Sequence, residues 1–137
     1  MGRASPRRVP ATARWLAVAL VAGAILVASV LPSSTGVAPP AGPGPANLVG
    51  ADKWIHGLAY AGLATALLYA LATSDRPFPH TVALTLGLVA SFGLGVELVQ
   101  APLPTRHFDL LDAVANAAGA SIAATAWMAG RRLRRIT

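Results

Sequence analysis

Residues Trp15 to Leu31 read WLAVALVAGAILVASVL, seventeen residues without a charge, with Arg14 before them and Pro32 after. A helix of that length rises about 25 Å, slightly short of a hydrocarbon core about 30 Å thick. Flanking residues or modest thinning of the bilayer close the gap. Three more apolar runs follow: Trp54 to Ala72, Thr81 to about Gln100, and about Asp109 to Gly130. None has the roughly ten-residue alternating period of a membrane strand, so helices are the spanning solution. The expected fold is all-α, a polytopic membrane protein built as a compact bundle of four transmembrane helices.

The composition agrees. The chain has 137 residues, 55% hydrophobic and only 12% charged, with a mean hydropathy of +0.59. That disfavours both a soluble globular domain and a disordered chain. The absence of cysteine excludes disulfides, thiolate chemistry and Cys-based metal sites. A net charge of +6 raises nucleic acid as a partner, but the placement of the charges argues against it. Eight of the eleven basic residues lie in a terminal arm (1–14: Arg3, Arg7, Arg8, Arg14) and a terminal tail (131–137: Arg131, Arg132, Arg134, Arg135). These flank the membrane domain, residues 15–130.

With four spans, both clusters and Arg76 in the short turn Thr73–His80 share one side, leaving Lys53 and Arg106 on the other. The positive-inside rule then places both termini in the cytoplasm of a cell-membrane protein, with the basic tail against anionic lipid. The basic N-terminus, its apolar run and Ser29, Ser33 and Ser34 also resemble a secretory signal peptide. The run exceeds a typical signal core and no clear A-x-A site ends it, so a retained helix is expected. Pro32 to Ala51, with five prolines and four glycines, reads as an external tether.

The ionisable residues near the membrane are unevenly distributed. Asp52, Lys53, His56, Glu97, Arg106, Asp109 and Asp112 all fall at the outer ends of the second, third and fourth runs. Asp52, His56 and Tyr60 recur every four residues on one helix face. Glu97 and Gln100 share a face of the third helix with Gly93 a turn below, and Asp109, Asp112, Asn116 and Gly119 share a face of the fourth. An Asp or Arg at a helix centre costs about 2.5–3.5 kcal/mol on insertion scales, so stripes facing lipid are disfavoured. Facing one another they pair: Arg106 with Glu97, Asp109 or Asp112, and Lys53 with a carboxylate. Asn116, about 10 Å below Asp109, is deep enough to need a partner. An outward-facing polar pocket over a plain Ala/Leu cytoplasmic half is expected. Gly93 and Gly119, among other small residues of helices three and four, read as packing positions.

The pattern Asp52-Lys53-x-x-His56-x-x-x-Tyr60-x-x-Leu63, then Glu97-x-x-Gln100, then Arg106-x-x-Asp109-x-x-Asp112-x-x-x-Asn116-x-x-Gly119 resembles the VanZ-like family of small integral membrane proteins. The resemblance spans residues 52–124. It departs where Gly57 follows the His in place of a bulky residue, and where Ala123 replaces a second glycine. The resemblance implies an uncharacterised membrane module whose namesake is associated with low-level resistance to the glycopeptide teicoplanin.

Three functional readings follow. The first is a non-catalytic module that binds or alters cell-envelope lipids or precursors, with membrane lipids and an envelope precursor or glycopeptide as partners. Arg106 and Lys53 are its anion donors, and the more numerous carboxylates favour a headgroup carrying hydroxyls or an amine. The second is an enzyme using His56 with Glu97 or Asp112 as acid and base. No serine or cysteine nucleophile is tied to that His by a motif, and no His-x-x-x-His spacing indicates a metal, so neither metal nor cofactor is expected. The third is a structural bundle fixed by internal salt bridges, the ordinary fate of an intramembrane charge pair. A transporter fits less well, since the polar stripe stops short of the cytoplasmic half. His80 and His107 read as solvated loop residues, and Trp15, Trp54 and Trp127 as interfacial anchors.

Overall fold

A computed structural model of the protein describes residues 9–31, 50–72, 76–103, 110–134 and 136, the side chains of 51 and 52 excepted. Their secondary structure is entirely helical: α1 (Ala11–Val30), α2 (Ala51–Leu71), α3 (Phe78–Gln100) and α4 (Leu110–Leu133). α1, α2 and α3 begin three or four residues before their apolar runs, and α4 ends three residues after its own. The breaks follow local chemistry. Pro10 and Pro77 precede α1 and α3, where a missing N–H costs nothing. α1 stops at Leu31, which is extended (φ −68°, ψ 140°), as the residue before a proline tends to be. Gly50 opens α2 with φ 67°, a conformation that favours glycine.

The contacts between helix ends fix their directions. Lys53 and Asp112, both in first turns, meet, so α2 and α4 run parallel. Gln100 at the end of α3 reaches Ser29 at the end of α1. Arg14 near the start of α1 donates to the Ala70 carbonyl near the end of α2 (3.4 Å), so those two run antiparallel. The order is therefore up-down-up-down. At the second end of the bundle Tyr69 lies edge-on to Trp127 (6.5 Å) and the Arg131 guanidinium sits 4.4 Å over the Phe78 ring. Polar motif residues thus gather at one end, and the described arginines at the other.

α2 is the central helix and touches all the others, with its most extensive interface against α4; α1 packs on α2 and α3 and does not reach α4. The core joins Ile25 of α1, Tyr60, Leu63, Ala64 and Leu67 of α2, Val89 of α3 and Ala120 of α4. α3 buries one stripe, Thr81, Thr85, Val89, Gly93, Val96 and Gln100, stepping by three or four. Thr85 is fully buried yet satisfied, because its hydroxyl donates back to the Thr81 carbonyl (2.9 Å).

α1, α2 from Lys53, and α3 are long and apolar enough to cross a membrane. α4 has the length, 24 residues, but is the least apolar of the four. Alanine, glycine and polar side chains take the places that leucine and valine hold in the others. Bulky apolar side chains nevertheless point outward all round: Leu20, Leu58, Leu98 and, on α4, Ile122 are each more than 60% exposed. In water such a surface aggregates, whereas lipid solvates it.

The α2–α4 crossing rests on Gly119, seated against the main chain of Gly57. A Cβ built on Gly119 would clash with the Gly57 carbonyl oxygen and stand 2.7 Å from its carbon. On Gly57 the nearest atom to a Cβ is the Ala115 carbonyl oxygen at 3.5 Å, an ordinary contact. Gly119→Ala is therefore expected to force the helices apart at a cost of about 1–3 kcal/mol. Gly57→Ala should stay within about 1 kcal/mol of wild type. Thermal unfolding of the two variants in one detergent checks the order, and equal losses contradict it.

Candidate functional site

Lys53 and His56 are one turn apart on the same face of α2, and Asp112 lies in the first turn of α4. The parallel α2–α4 crossing brings the three together. The Lys53 Nζ donates to Asp112 Oδ1 at 2.6 Å, a short charge-assisted bond. His56 Nε2 stands 3.8 Å from Asp112 Oδ2, near enough for charge but beyond a hydrogen bond. Lys53 and Asp112 side chains are only 11% and 20% exposed, so water screens the pair weakly. Asp112 has a second source of stability, since a carboxylate in the first turn complements the positive end of the helix dipole.

A crevice of about 380 Å³ runs between α3 and α4 beside this cluster. Its walls are mostly apolar, with Leu86, Val89 and Leu94 on α3 and Ala113, Ala117 and Ala120 on α4. Glu97 stands in the wall at the level of the charged cluster, Asn116 about one turn below Asp112, and Ser121 deeper. Asn116 is 8% exposed, and its Oδ1 is buried with no hydrogen-bond partner among the described residues. Such an oxygen is costly to leave unpaired in apolar surroundings.

Of the residues expected to form one pocket, Lys53, His56 and Asp112 meet directly, and Glu97 and Asn116 line the crevice, together with Gly93, which was read as a packing position. Two take other places. Gln100 turns away to α1, where its Nε2 donates to the Ser29 carbonyl (2.8 Å). That carbonyl lies in the last turn of α1 and lacks an intrahelical donor, so Gln100 acts as a C-terminal cap supplied by a neighbouring helix. Tyr60 is buried in the core. Its ring lies against Gly93, where a Cβ would come within 3.2 Å of it, and 6.2 Å from Phe92. The Asp52 side chain, Arg106 and Asp109 lie outside the described residues, as does His107. Gly119 packs at the α2–α4 crossing, as its small size indicated.

Three participants were not visible as such in the sequence. Gly57, noted only as a departure from a motif, is the surface on which Gly119 rests. The Ser29 acceptor is a main-chain group, for which side-chain patterns carry no signal beyond the nearby Pro32. The alanines at 113, 117 and 120, read only among the small packing residues of the fourth helix, line the crevice.

The pair should behave as a unit. Lys53→Met alone strands a poorly solvated carboxylate, whereas Lys53→Met with Asp112→Leu removes both charges. The double variant is expected to be more stable than the Lys53→Met single variant, with a coupling of about 1–3 kcal/mol in a double-mutant cycle of detergent unfolding. Additive losses would mean that the two charges do not depend on each other.

Comparison of the chain with protein-family models, with curated proteins and with solved structures gave no match.

Proposed function

We propose that this is a four-span, VanZ-like protein of the cell membrane that binds cell-envelope lipids or precursors at its outer face without transforming them. The observation that carries this reading is the Lys53–His56–Asp112 cluster, set at one end of the bundle next to an apolar crevice. An amphiphile needs both surroundings in contiguity, a polar place for its head and an apolar place for its tail. The outward-pointing leucines and isoleucine support membrane embedding of all four helices, α4 included. The arginines at the opposite end support cytoplasmic termini by the positive-inside rule.

A binding role fits the chemistry better than catalysis. Lys53 is already neutralised by Asp112, so the cluster offers an imidazole, a carboxylate edge and Glu97 to a mixed headgroup with hydroxyls or an amine. The hydroxyls of Thr65, Thr85 and Thr125 turn back onto their own helices. Ser121 lies nine residues beyond Asp112, about 13 Å along the axis, out of reach of His56. None of these four hydroxyls is placed to act as a nucleophile beside the histidine. The link to glycopeptide resistance comes only from the motif resemblance. It takes the form of a headgroup site that competes for, or masks, an envelope precursor.

The test is retention of labelled envelope lipids by purified protein in detergent. Wild type should retain a lipid fraction with unchanged mass, and Asp112→Asn should lose most of it while still inserting in the membrane. A product of altered mass favours the enzyme reading, and equal retention by both proteins removes the site.

Topology has its own test, made simple by the absence of native cysteine. An impermeant maleimide should label Ser34→Cys in intact cells and label Ser74→Cys only after permeabilisation. The reverse pattern overturns the orientation.

A further inference from the structure

The arginines at the second end of the bundle differ in what each one holds. The Arg14 Nη1 donates to the Ala70 carbonyl of α2 (3.4 Å), and the Arg134 Nε donates to the Gly130 carbonyl of α4 (3.2 Å). Both direct a donor at main-chain carbonyls near a helix C-terminus, where the dipole favours a cation. Arg132 is exposed. Arg131 is half-buried, its guanidinium lies 4.4 Å over the Phe78 ring, and it has no hydrogen-bond acceptor or carboxylate partner among the described residues. A ring occupies one side of a guanidinium, whose five N–H donors fan out along several. A fork of donors therefore remains, shaped for two oxygens of a phosphate or carboxylate. Donors partly withdrawn from water need such an acceptor more than those of an exposed arginine do.

The surroundings select the sign and the depth of the ligand. Residues 1–14, 72–77 and 131–137 carry four, one and four arginines, against a single acidic residue, Asp75. Phe78 opens α3, so the positive end of that helix dipole adds to the same field. Trp127, four residues before Arg131 and in edge contact with Tyr69, stands about 6 Å deeper, the kind of pairing found where membrane meets water. A polyanion in solution meets the exposed arginines as readily as Arg131. A ligand held at the level of the aromatics favours the half-buried one. A zwitterionic lipid offers the same phosphate but brings a second cation into a region of like charge, whereas an anionic lipid does not.

We infer that the mouth between the first turn of α3 and the last turn of α4 holds the phosphate of one anionic phospholipid, with Arg131, braced on Phe78, as the residue that sets the preference. This rests on the membrane embedding proposed above and not on the outer-face site. Arg131 stands nineteen residues beyond Asp112, about 28 Å along α4, so the two sites are independent.

The experiment titrates the full chain in dodecyl maltoside with palmitoyl-oleoyl phosphatidylglycerol or phosphatidylcholine at fixed ionic strength. Native mass spectrometry counts the first bound lipid. Wild type should bind phosphatidylglycerol about fivefold more tightly than phosphatidylcholine, the scale of one arginine near an anionic headgroup. Arg131→Gln should remove most of that preference. Arg131→Lys, which keeps the charge without the fork, and Phe78→Leu, which removes the ring, should each remove part of it. Arg132→Gln, an equal loss of charge at the exposed neighbour, should change binding less than twofold. Circular dichroism of each variant separates lost binding from lost fold, and Arg131→Lys carries the test if Arg131→Gln unfolds.

Equal binding of the two lipids by wild type overturns the inference. Equal losses in Arg131→Gln and Arg132→Gln do the same, since they mark unspecific attraction to a basic tail, as does an Arg131→Lys variant indistinguishable from wild type. Displacement of the lipid by equimolar glycerol phosphate or by an oligonucleotide assigns the site to a soluble anion and also overturns it. The outcome is separable from the outer-face reading. A preference that follows Asp112→Asn and not Arg131→Gln puts the lipid at the other end and removes this inference. A preference that follows Arg131→Gln in a protein retaining no envelope lipid removes only the outer-face site.

Discussion

The backbones of α2 and α4 touch because Gly119 carries no side chain where it meets the main chain of Gly57. In a soluble bundle, apolar burial holds helices together even at a larger separation. In lipid that drive is missing and close van der Waals approach replaces it, so small residues at a crossing matter more. The contact has a chemical consequence. Gly57 directly follows His56 and lies one turn after Lys53, while Gly119 lies two turns after Asp112. Bringing the glycines together sets the axial register of the two helices. That register carries the Lys53 ammonium to the Asp112 carboxylate and leaves His56 alongside. A β-carbon at Gly119 disturbs packing and the charged cluster together.

The cluster and the crossing also support each other energetically. A charge pair in weakly screened surroundings loses much of its hydration, and its mutual attraction compensates only when the geometry is good. The 2.6 Å Lys53–Asp112 bond and the position of Asp112 in a first helical turn meet that condition. An interface of apolar side chains would hold these helices at least as well. Partly exposed charges at the end of an apolar bundle are therefore poorly explained by stability alone, and a contact with something outside the chain accounts better for their presence.

Much of this arrangement can be read from the amino acids, and the remainder has identifiable physical reasons for being hidden. Helix periodicity placed His56, Asp112 and Asn116 on faces turned inward at one end, and the high cost of charge in lipid implied that Lys53 meets a carboxylate. Which carboxylate depends on axial register, and register depends on a glycine contact that has no periodic signature. Gln100 shared a stripe with Glu97 but points to α1, because its partner is a carbonyl at a helix end and not another side chain. Tyr60 shared a stripe with His56 yet lies deep enough to join the core, where Gly93 leaves room for its ring. The fourth apolar run was legible as a helix over about Asp109 to Gly130, and the observed helix spans Leu110–Leu133. Its alanine content makes it the weakest of the four on hydropathy, even though it presents Ile122 and Leu111 outward.

The division of surroundings within the bundle narrows where recognition occurs. α1 buries only Ile25 and Ser29 and does not touch α4, so it braces the far side of α2 and α3 and leaves the α3–α4 side uncovered. On that uncovered side the apolar crevice and the charged end meet, with Glu97 and Asn116 at the junction. A ligand approaching from water meets the charges first and has no reason to descend. A ligand approaching sideways through the bilayer meets the apolar groove first and reaches the charges only with a polar head at the membrane surface. On the membrane reading proposed above, the second route uses every feature of the site and favours a ligand that is a lipid or carries a lipid tail.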